Sequence, residues 1–237
     1  MSKNLGITLG LIMAAVLAAG LLVALNGRDG ATETPSAQPA PAGQDPTAPT
    51  SAPTAPTAPA DLLVRENSRY LDQVEDSPVT VVEFLDFECE ACRAQFPVME
   101  QIREDYDGRI NMVIRYFPLP GHTNSEPAAA AVEAAAQQDA LEEMYARMYE
   151  TQAEWGESRE SQAEVFVGFA EDLDLDTDEF VRTMESPDTQ ERVASDFEDG
   201  VALGVQGTPT IFVNGRLAPS MPTHEVLSAM IDAELEG

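Results

Sequence analysis

The sequence predicts an α/β domain over residues 61–237, in which a strand–helix–strand unit, a long helical block and a closing strand–strand–helix unit follow one another. Three observations carry this. Val79–Phe87 (VTVVEFLDF) is apolar on both faces, with Val81, Leu85 and Phe87 on one and Val82 and Phe84 on the other. Such a strand is central and covered by helices on both sides. A second apolar run, Ile110–Phe117 (INMVIRYF), comes one helix later. A third, Thr210–Val213 (TIFV), runs into Asn214-Gly215, a strong two-residue hairpin signal.

The elements between these strands follow in order. ECEAC (88–92) sits where the first strand gives way to a helix. Residues 93–106 place Phe96, Met99 and Ile102 on one helical face, and Gly108 ends that helix. The two strands and the helix make a βαβ unit with the cysteines at its first junction. From Asn124 to about Gly200 the pattern is helical, an insertion of about 122–200. An Ala-rich helix starts at 128–136 and continues through 141–149. Shorter helices cover 165–173 and 180–184, and Pro187 marks a further helix start. Residues 223–235 read as a closing amphipathic helix with Val226, Leu227, Met230 and Ile231 inward.

The amino-terminal quarter has a different character. Residues 5–25 (LGITLGLIMAAVLAAGLLVAL) carry no charge. At about 1.5 Å per residue they would span roughly 30 Å as a helix, the hydrocarbon thickness of a bilayer. Residues 1–4 then face the cytoplasm and everything after the span lies outside it. The competing reading is a cleaved signal peptide, although its apolar region is normally shorter and no small-x-small site follows Leu25. Residues 26–60 hold eight of the 17 prolines and end in repeated Thr-Ala-Pro. With little to bury, this stretch is expected to be a disordered, semi-extended tether reaching at most roughly 105 Å.

The formal net charge is −29, from 42 acidic and 13 basic side chains, and Lys3 is the sole lysine. Nucleic-acid binding is incompatible with such a field. Between Glu126 and Asp199 there are 22 acidic and four basic residues, so the helical block forms the acidic surface. Heavy Asp/Glu use with Arg in place of Lys fits adaptation to salt, which screens self-repulsion.

The chemistry rests on Cys89 and Cys92, the only two cysteines, in one C-x-x-C. A zinc site needs about four ligands, and His122 and His224 lack the spacing and a second cysteine pair. A structural disulfide would close too small a loop to stabilise much. A redox pair fits best. Cys89 falls at a helix start, where free N–H groups and the helix dipole favour a thiolate, and Cys92, one turn in, should be the more buried. Glu83 lies on the doubly apolar strand and is either a buried proton acceptor beneath the cysteines or a residue on a wet face. Pro209, in GVQGTPT before a strand, is compatible with a cis peptide bond. His122 either lines the groove beside the cysteines or neighbours a helix cap. Trp155, Met144 and Met148 read as core, and His224 as a surface position near a helix start.

F-x-D-F-x-C-x-x-C at 84–92, followed by G-V-x-G-T-P-T-x-x-V-N-G at 204–215, resembles the DsbA-like branch of the thioredoxin superfamily over about residues 65–235. The resemblance implies a thioredoxin fold with a helical insertion and a thiol–disulfide oxidoreductase needing no cofactor. It makes Cys89 the attacking and Cys92 the resolving cysteine. Glu83, six residues before Cys89, becomes the buried acid, Pro209 the cis-proline, Thr208 the substrate-pairing backbone and Pro97 the proline of the active-site helix. One departure matters: the dipeptide between the cysteines is Glu90-Ala91, with Glu88 before Cys89, where strongly oxidising members carry Pro-His. Like charges should leave Cys89 less acidic than in those enzymes and the potential lower.

The expected activity is therefore exchange of the Cys89–Cys92 disulfide with thiols of exported proteins, as an oxidase. The same chemistry run backwards would make a reductase or isomerase, and a third reading is a chaperone-like module with a passive crosslink. The resemblance also implies a membrane redox partner of DsbB-like or vitamin K epoxide reductase-like type. A single-pass location in the cell membrane follows from residues 5–25, and a monomer is expected because no dimerisation module precedes the thioredoxin part.

Overall fold

A computed structural model describes residues 57–237. The span expected at residues 5–25 and most of the expected tether lie outside the described residues. Among the described residues, no helix is long and apolar enough to cross a membrane.

A five-stranded sheet runs through the domain in the order β1 (Arg69–Asp72), β3 (Asn111–Tyr116), β2 (Thr80–Leu85), β4 (Thr210–Val213) and β5 (Arg216–Leu217). The predicted βαβ unit is β2 (Thr80–Leu85), α2 (Glu90–Asp105) and β3 (Asn111–Tyr116). β2 and β3 pair in parallel from Thr80↔Asn111 to Leu85↔Tyr116. On the other side of β2, β4 (Thr210–Val213) pairs antiparallel, with Glu83 opposite Ile211 and Phe84 opposite Thr210. The Asn214-Gly215 hairpin is present: Gly215 has φ 79° and β5 (Arg216–Leu217) returns beside β4. β2 is thus the central strand, as its two apolar faces require.

The two faces bury different elements. Val79, Val81, Ile211 and Val213 pack against Met99 and Ile102 of α2, Tyr106 just after it, and Leu227 and Ile231 of α8 (His224–Leu235). Val82, Phe84, Val113 and Phe212 meet Leu63, Phe117 and Val205 on the opposite face. A third cluster extends Leu85, Phe87, Ile114 and Tyr116 into the helical block. Pro97 is accommodated inside α2, which is unbroken from Glu90 to Asp105.

The helical block comprises α3 (Ser125–Ala136), α4 (Leu141–Trp155), α5 (Ala163–Asp172), α6 (Thr177–Met184) and α7 (Pro187–Ala202). The sequence pattern merges α3 and α4, but the chain breaks between them. Asp139 adopts φ 60°, and the Ala140 N–H folds back to the Ala135 carbonyl. No glycine or proline marks that turn. Two later helices are capped as their sequences indicate: Asp176 accepts from the Glu179 N–H, and Ser186 accepts from the Thr189 N–H with Pro187 at the first helical position. Met144, Met148 and Trp155 are core residues, the last with its ring edge-on to Phe166.

Two elements at the start of the domain escape the sequence pattern. Residues 57–60, assigned to the tether by composition, belong to the folded unit: the Ala58 N–H donates to the Gly215 carbonyl at 2.9 Å, and α1 spans Ala60–Leu63. β1 (Arg69–Asp72) pairs antiparallel with β3 through an irregular register. Arg115 fixes this opening segment. Its guanidinium is fully buried, meets Asp196 at 2.5 Å and Asp199 at 2.6 Å, and donates to the Leu62 and Leu63 carbonyls.

Candidate active site

The cysteines stand at the carboxyl end of β2. Cys89 is the N-cap residue of α2, with extended backbone, and Cys92 lies in the first turn. Both are free thiols; Cys89 is 7 % exposed and Cys92 1 %, the order expected for an attacking and a resolving sulfur. The Cys89 N–H donates to the Asp86 carbonyl at 3.1 Å and closes the strand-to-helix turn. From the helical block, Gln152 clamps the same turn, its Nε2 donating to the carbonyls of Phe87 (2.7 Å) and Cys89 (3.0 Å).

This geometry separates the two thiols. Cys89 is held at about 5, chiefly by the hydrogen bond from Cys92. Burial opposes this, while contact with Thr208 and the N–H groups of Cys92 and Ala91 add to it. Such a value lies between about 3.5 for strongly oxidising enzymes and about 7 for thioredoxin. Cys92 is pushed well above the ordinary thiol range by burial, by its bond to Cys89 and by Glu83. Glu83 is 2 % exposed on β2, so the wet-face alternative is excluded, and burial together with Glu100 pushes it up to about 8.

The β2–β4 register brings the second motif to the first. With Phe84 opposite Thr210, the Thr208-Pro209 segment falls beside the turn after β2, and the Thr208-Pro209 peptide is cis. The Thr208 carbonyl oxygen is 3.5 Å from Cys89 Sγ. A groove of about 440 Å³ starts at this loop and runs along Gly204–Phe212 to Leu217 and Ala218. An extended chain laid there would reach Cys89 along its backbone.

Of the other expected residues, Glu90 is exposed at the first position of α2, Ala91 is half-buried against the cysteine cluster, and Pro97 is exposed on the outer side of the helix. Glu88 is turned inward, its carboxylate accepting from the Asn124 N–H at 2.6 Å. His224 is at the start of α8 and meets Asp105 at 2.8 Å. Sequence reasoning gave no role to Asp86 or Gln152. Asp86 is buried and accepts from the Glu88 N–H (2.8 Å) and the Leu119 N–H (2.9 Å), and its Oδ2 is 2.6 Å from His122 Nδ1. The signal for Asp86 was its place in F-x-D-F ahead of the cysteines; Gln152 offers none, because its partners are backbone carbonyls.

Comparison with known proteins identifies relatives of the chain. The sequence model of a family described as Thioredoxin matches residues 74–233. The probable disulfide bond formation protein D of Bacillus cereus is 33 % identical over 168 residues, covering 68 % of this chain and 76 % of that protein. Na(+)/H(+) antiporter NhaA 1 of Salinispora arenicola is 37 % identical over 163 residues, covering 68 % of this chain but 24 % of the antiporter. The chain thus spans about a quarter of the length of the antiporter relatives it matches. The crystal structure of a thioredoxin-like oxidoreductase from Silicibacter pomeroyi superposes with a TM-score of 0.65 at 28 % identity, covering 76 % of this chain and 99 % of that one. Family model and relatives agree on one assignment: the chain belongs to the thioredoxin family, and it is similar to a disulfide bond formation protein and to a thioredoxin-like oxidoreductase.

Proposed function

We propose that this protein is an oxidase outside the cytoplasm, passing the Cys89–Cys92 disulfide to thiols of exported proteins. The observation that carries the reading is the asymmetry of the pair: Cys89 held at about 5 at a helix start, above a buried Cys92 and Glu83. A stabilised thiolate favours the reduced form of the enzyme, which makes the oxidised form the better electron acceptor.

The steps follow from the geometry. A substrate thiolate attacks Cys89 Sγ, the S–S bond breaks, and its electron pair leaves on Cys92. Cys92 retains a proton strongly, and Glu83, protonated below about 8, is placed to supply it. A second substrate thiolate then attacks the substrate sulfur of the mixed disulfide and expels Cys89, a good leaving group because its thiolate is stabilised. Two electrons have passed to the pair and the substrate holds a disulfide. Thr208 and Pro209 would align the substrate backbone beside Cys89, while Glu90, Ala91 and Pro97 shape the outer surface of the active-site helix.

The cellular setting extends the proposal. Residues 5–25 would anchor the chain in the cell membrane as a single pass, and the Pro-rich stretch up to residue 56 would tether a monomeric domain outside. A membrane partner of DsbB-like or vitamin K epoxide reductase-like type would reoxidise Cys89 and Cys92. The test is Cys92→Ala in cells, with trapped species resolved on non-reducing gels. Accumulated mixed disulfides through Cys89, and an oxidised pair in freshly isolated wild type, are expected. A reduced wild-type pair would turn the reading to a reductase or isomerase, and absence of any mixed disulfide would leave a chaperone-like module.

A further inference from the structure

The strip of chain between the cysteines, Glu90-Ala91, holds no cationic side chain, and three carboxylates crowd the corner: Asp86 and Glu88 before Cys89 and Glu90 after it. A thiolate at Cys89 would be the fourth negative charge. The fold brings one imidazole to this place from a distant loop. His122 follows β3, 33 residues after Cys89 in sequence, yet its Nδ1 is 2.6 Å from Asp86 Oδ2. Its own backbone N–H donates to the Leu119 carbonyl at 3.0 Å, and the Leu119 N–H donates to the same Asp86 carboxylate. The loop and the cysteine turn are therefore stitched together at Asp86. Asn124, two residues on, repeats the stitch through Glu88.

We propose that His122, oriented by Asp86, supplies the cationic charge that balances the Cys89 thiolate, in place of a histidine between the cysteines. This rests on the oxidoreductase reading above and deepens it. With Nδ1 bonded to Asp86, the ring's other nitrogen is the one that gains and loses the titrating proton. The side chain is 26 % exposed, open enough to exchange that proton with solvent. Partial burial lowers the imidazole pKa, but the Asp86 bond and the charges of Asp86, Glu88 and Cys89 outweigh it, so His122 is raised. Glu90 on α2 and Glu157 after α4 also face it, and both favour the cation. Asp86 is the positioning residue in this arrangement. Because the bond from Cys92 and the helix N–H groups already lower Cys89, the charge of His122 adds to them without replacing them.

Thermodynamic coupling is reciprocal, so the wild-type protein itself provides the first test. In the full chain, NMR titration of His122 should give a higher pKa in the reduced protein than in the oxidised one, because only the former carries the thiolate. Equal values in the two forms would overturn the proposal, with no variant needed. In His122→Gln, ultraviolet absorbance of the thiolate should show Cys89 ionising about 0.5 to 1 unit higher than in wild type, about threefold to tenfold less stabilisation of the thiolate. The reduction potential should fall by about 15 to 30 mV in step, given about 30 mV per tenfold for a two-electron couple. A Cys89 midpoint and potential both unmoved would also overturn it. If wild type fails to exchange disulfides with a small dithiol, the oxidoreductase reading itself is wrong; if it exchanges while His122 ignores the redox state, only this inference falls.

Discussion

Cys89 Sγ lies 3.5 Å from the carbonyl oxygen of Thr208, 119 residues further along the chain. Cys89 Sγ thus has neighbours from both motifs, Cys92 within its own turn and Thr208 from the loop before β4. Cys92 makes the largest contribution to lowering Cys89, so Cys92→Ala should raise its ionisation midpoint above about 5. The helix N–H groups remain, and the midpoint should stay below the ordinary thiol value of 9.0. Ultraviolet absorbance of the reduced variant across pH checks this.

The acidity of Cys89 makes stability depend jointly on pH and redox state. Its folded pKa, about 5, is depressed from the ordinary 9.0, so its contribution is fully present above pH 9 and is lost as pH falls through 5. The oxidised pair has no such proton. Stability of the reduced form relative to the oxidised form should rise between those limits, with an upper bound of about 5 kcal/mol at roughly 1.4 kcal/mol per unit. Urea unfolding of both forms at several pH values measures it.

Glu83 works in the opposite direction. Its pKa is raised from 4.5 to about 8, so its contribution is complete below pH 4.5 and is lost as pH rises through 8. At neutral pH the loss should be about 3 kcal/mol. Glu83→Gln should abolish this slope, best measured in the oxidised protein where Cys89 is silent. The same variant should slow proton transfer at Cys92, and with it disulfide exchange, by about tenfold to hundredfold. Unfolding curves and stopped-flow exchange report the two effects separately.

Gly200 on α7 leaves no room for a side chain. A Cβ there would lie 2.6 Å from the Phe117 ring and 3.1 Å from Phe84. Helix propensity favours alanine by about 1 kcal/mol, but forcing a methyl into a packed core costs about 1 to 3 kcal/mol, and here both rings stand over the central sheet. Gly200→Ala should therefore lower stability, visible as a reduced denaturation midpoint.

The net charge of −29 sets a further expectation. Carboxylates on the helical block repel one another, and salt screens repulsion between exposed charges. The melting temperature should rise with added NaCl. A flat or falling response, followed by calorimetry, would remove salt adaptation as the reason for this composition.

Much of the fold was legible because the core strands β2 and β3 are mostly apolar on both faces and the motifs punctuate their ends. β1 was not: all four residues of RYLD are half-buried, and Arg69 and Asp72 are engaged by Glu133 and Arg103, so no alternation shows. The α3–α4 break was hidden because Asp139 takes the left-handed conformation usually left to glycine or asparagine. Within the site, Cys89 and Cys92 were readable from their spacing, whereas for Glu83 and Pro209 the pattern left alternatives open and the family resemblance pointed to them. The Asp86–His122 pair and Gln152 were not, since each joins segments far apart in sequence through contacts with no pattern along the chain.

The hydrogen bond from Ala58 to Gly215 attaches the opening segment to one end of the sheet. Gly215 follows Asn214, whose Oδ1 accepts from the N–H of Thr80 at the start of β2, whereas the reactive sulfur lies past the strand's other end. Six residues of strand separate the two, about 20 Å. The point of attachment and the point of reaction are thus opposite poles of one rigid axle. Arg115 makes the opening segment part of the same body, joining the Leu62 and Leu63 carbonyls to Asp196 of α7.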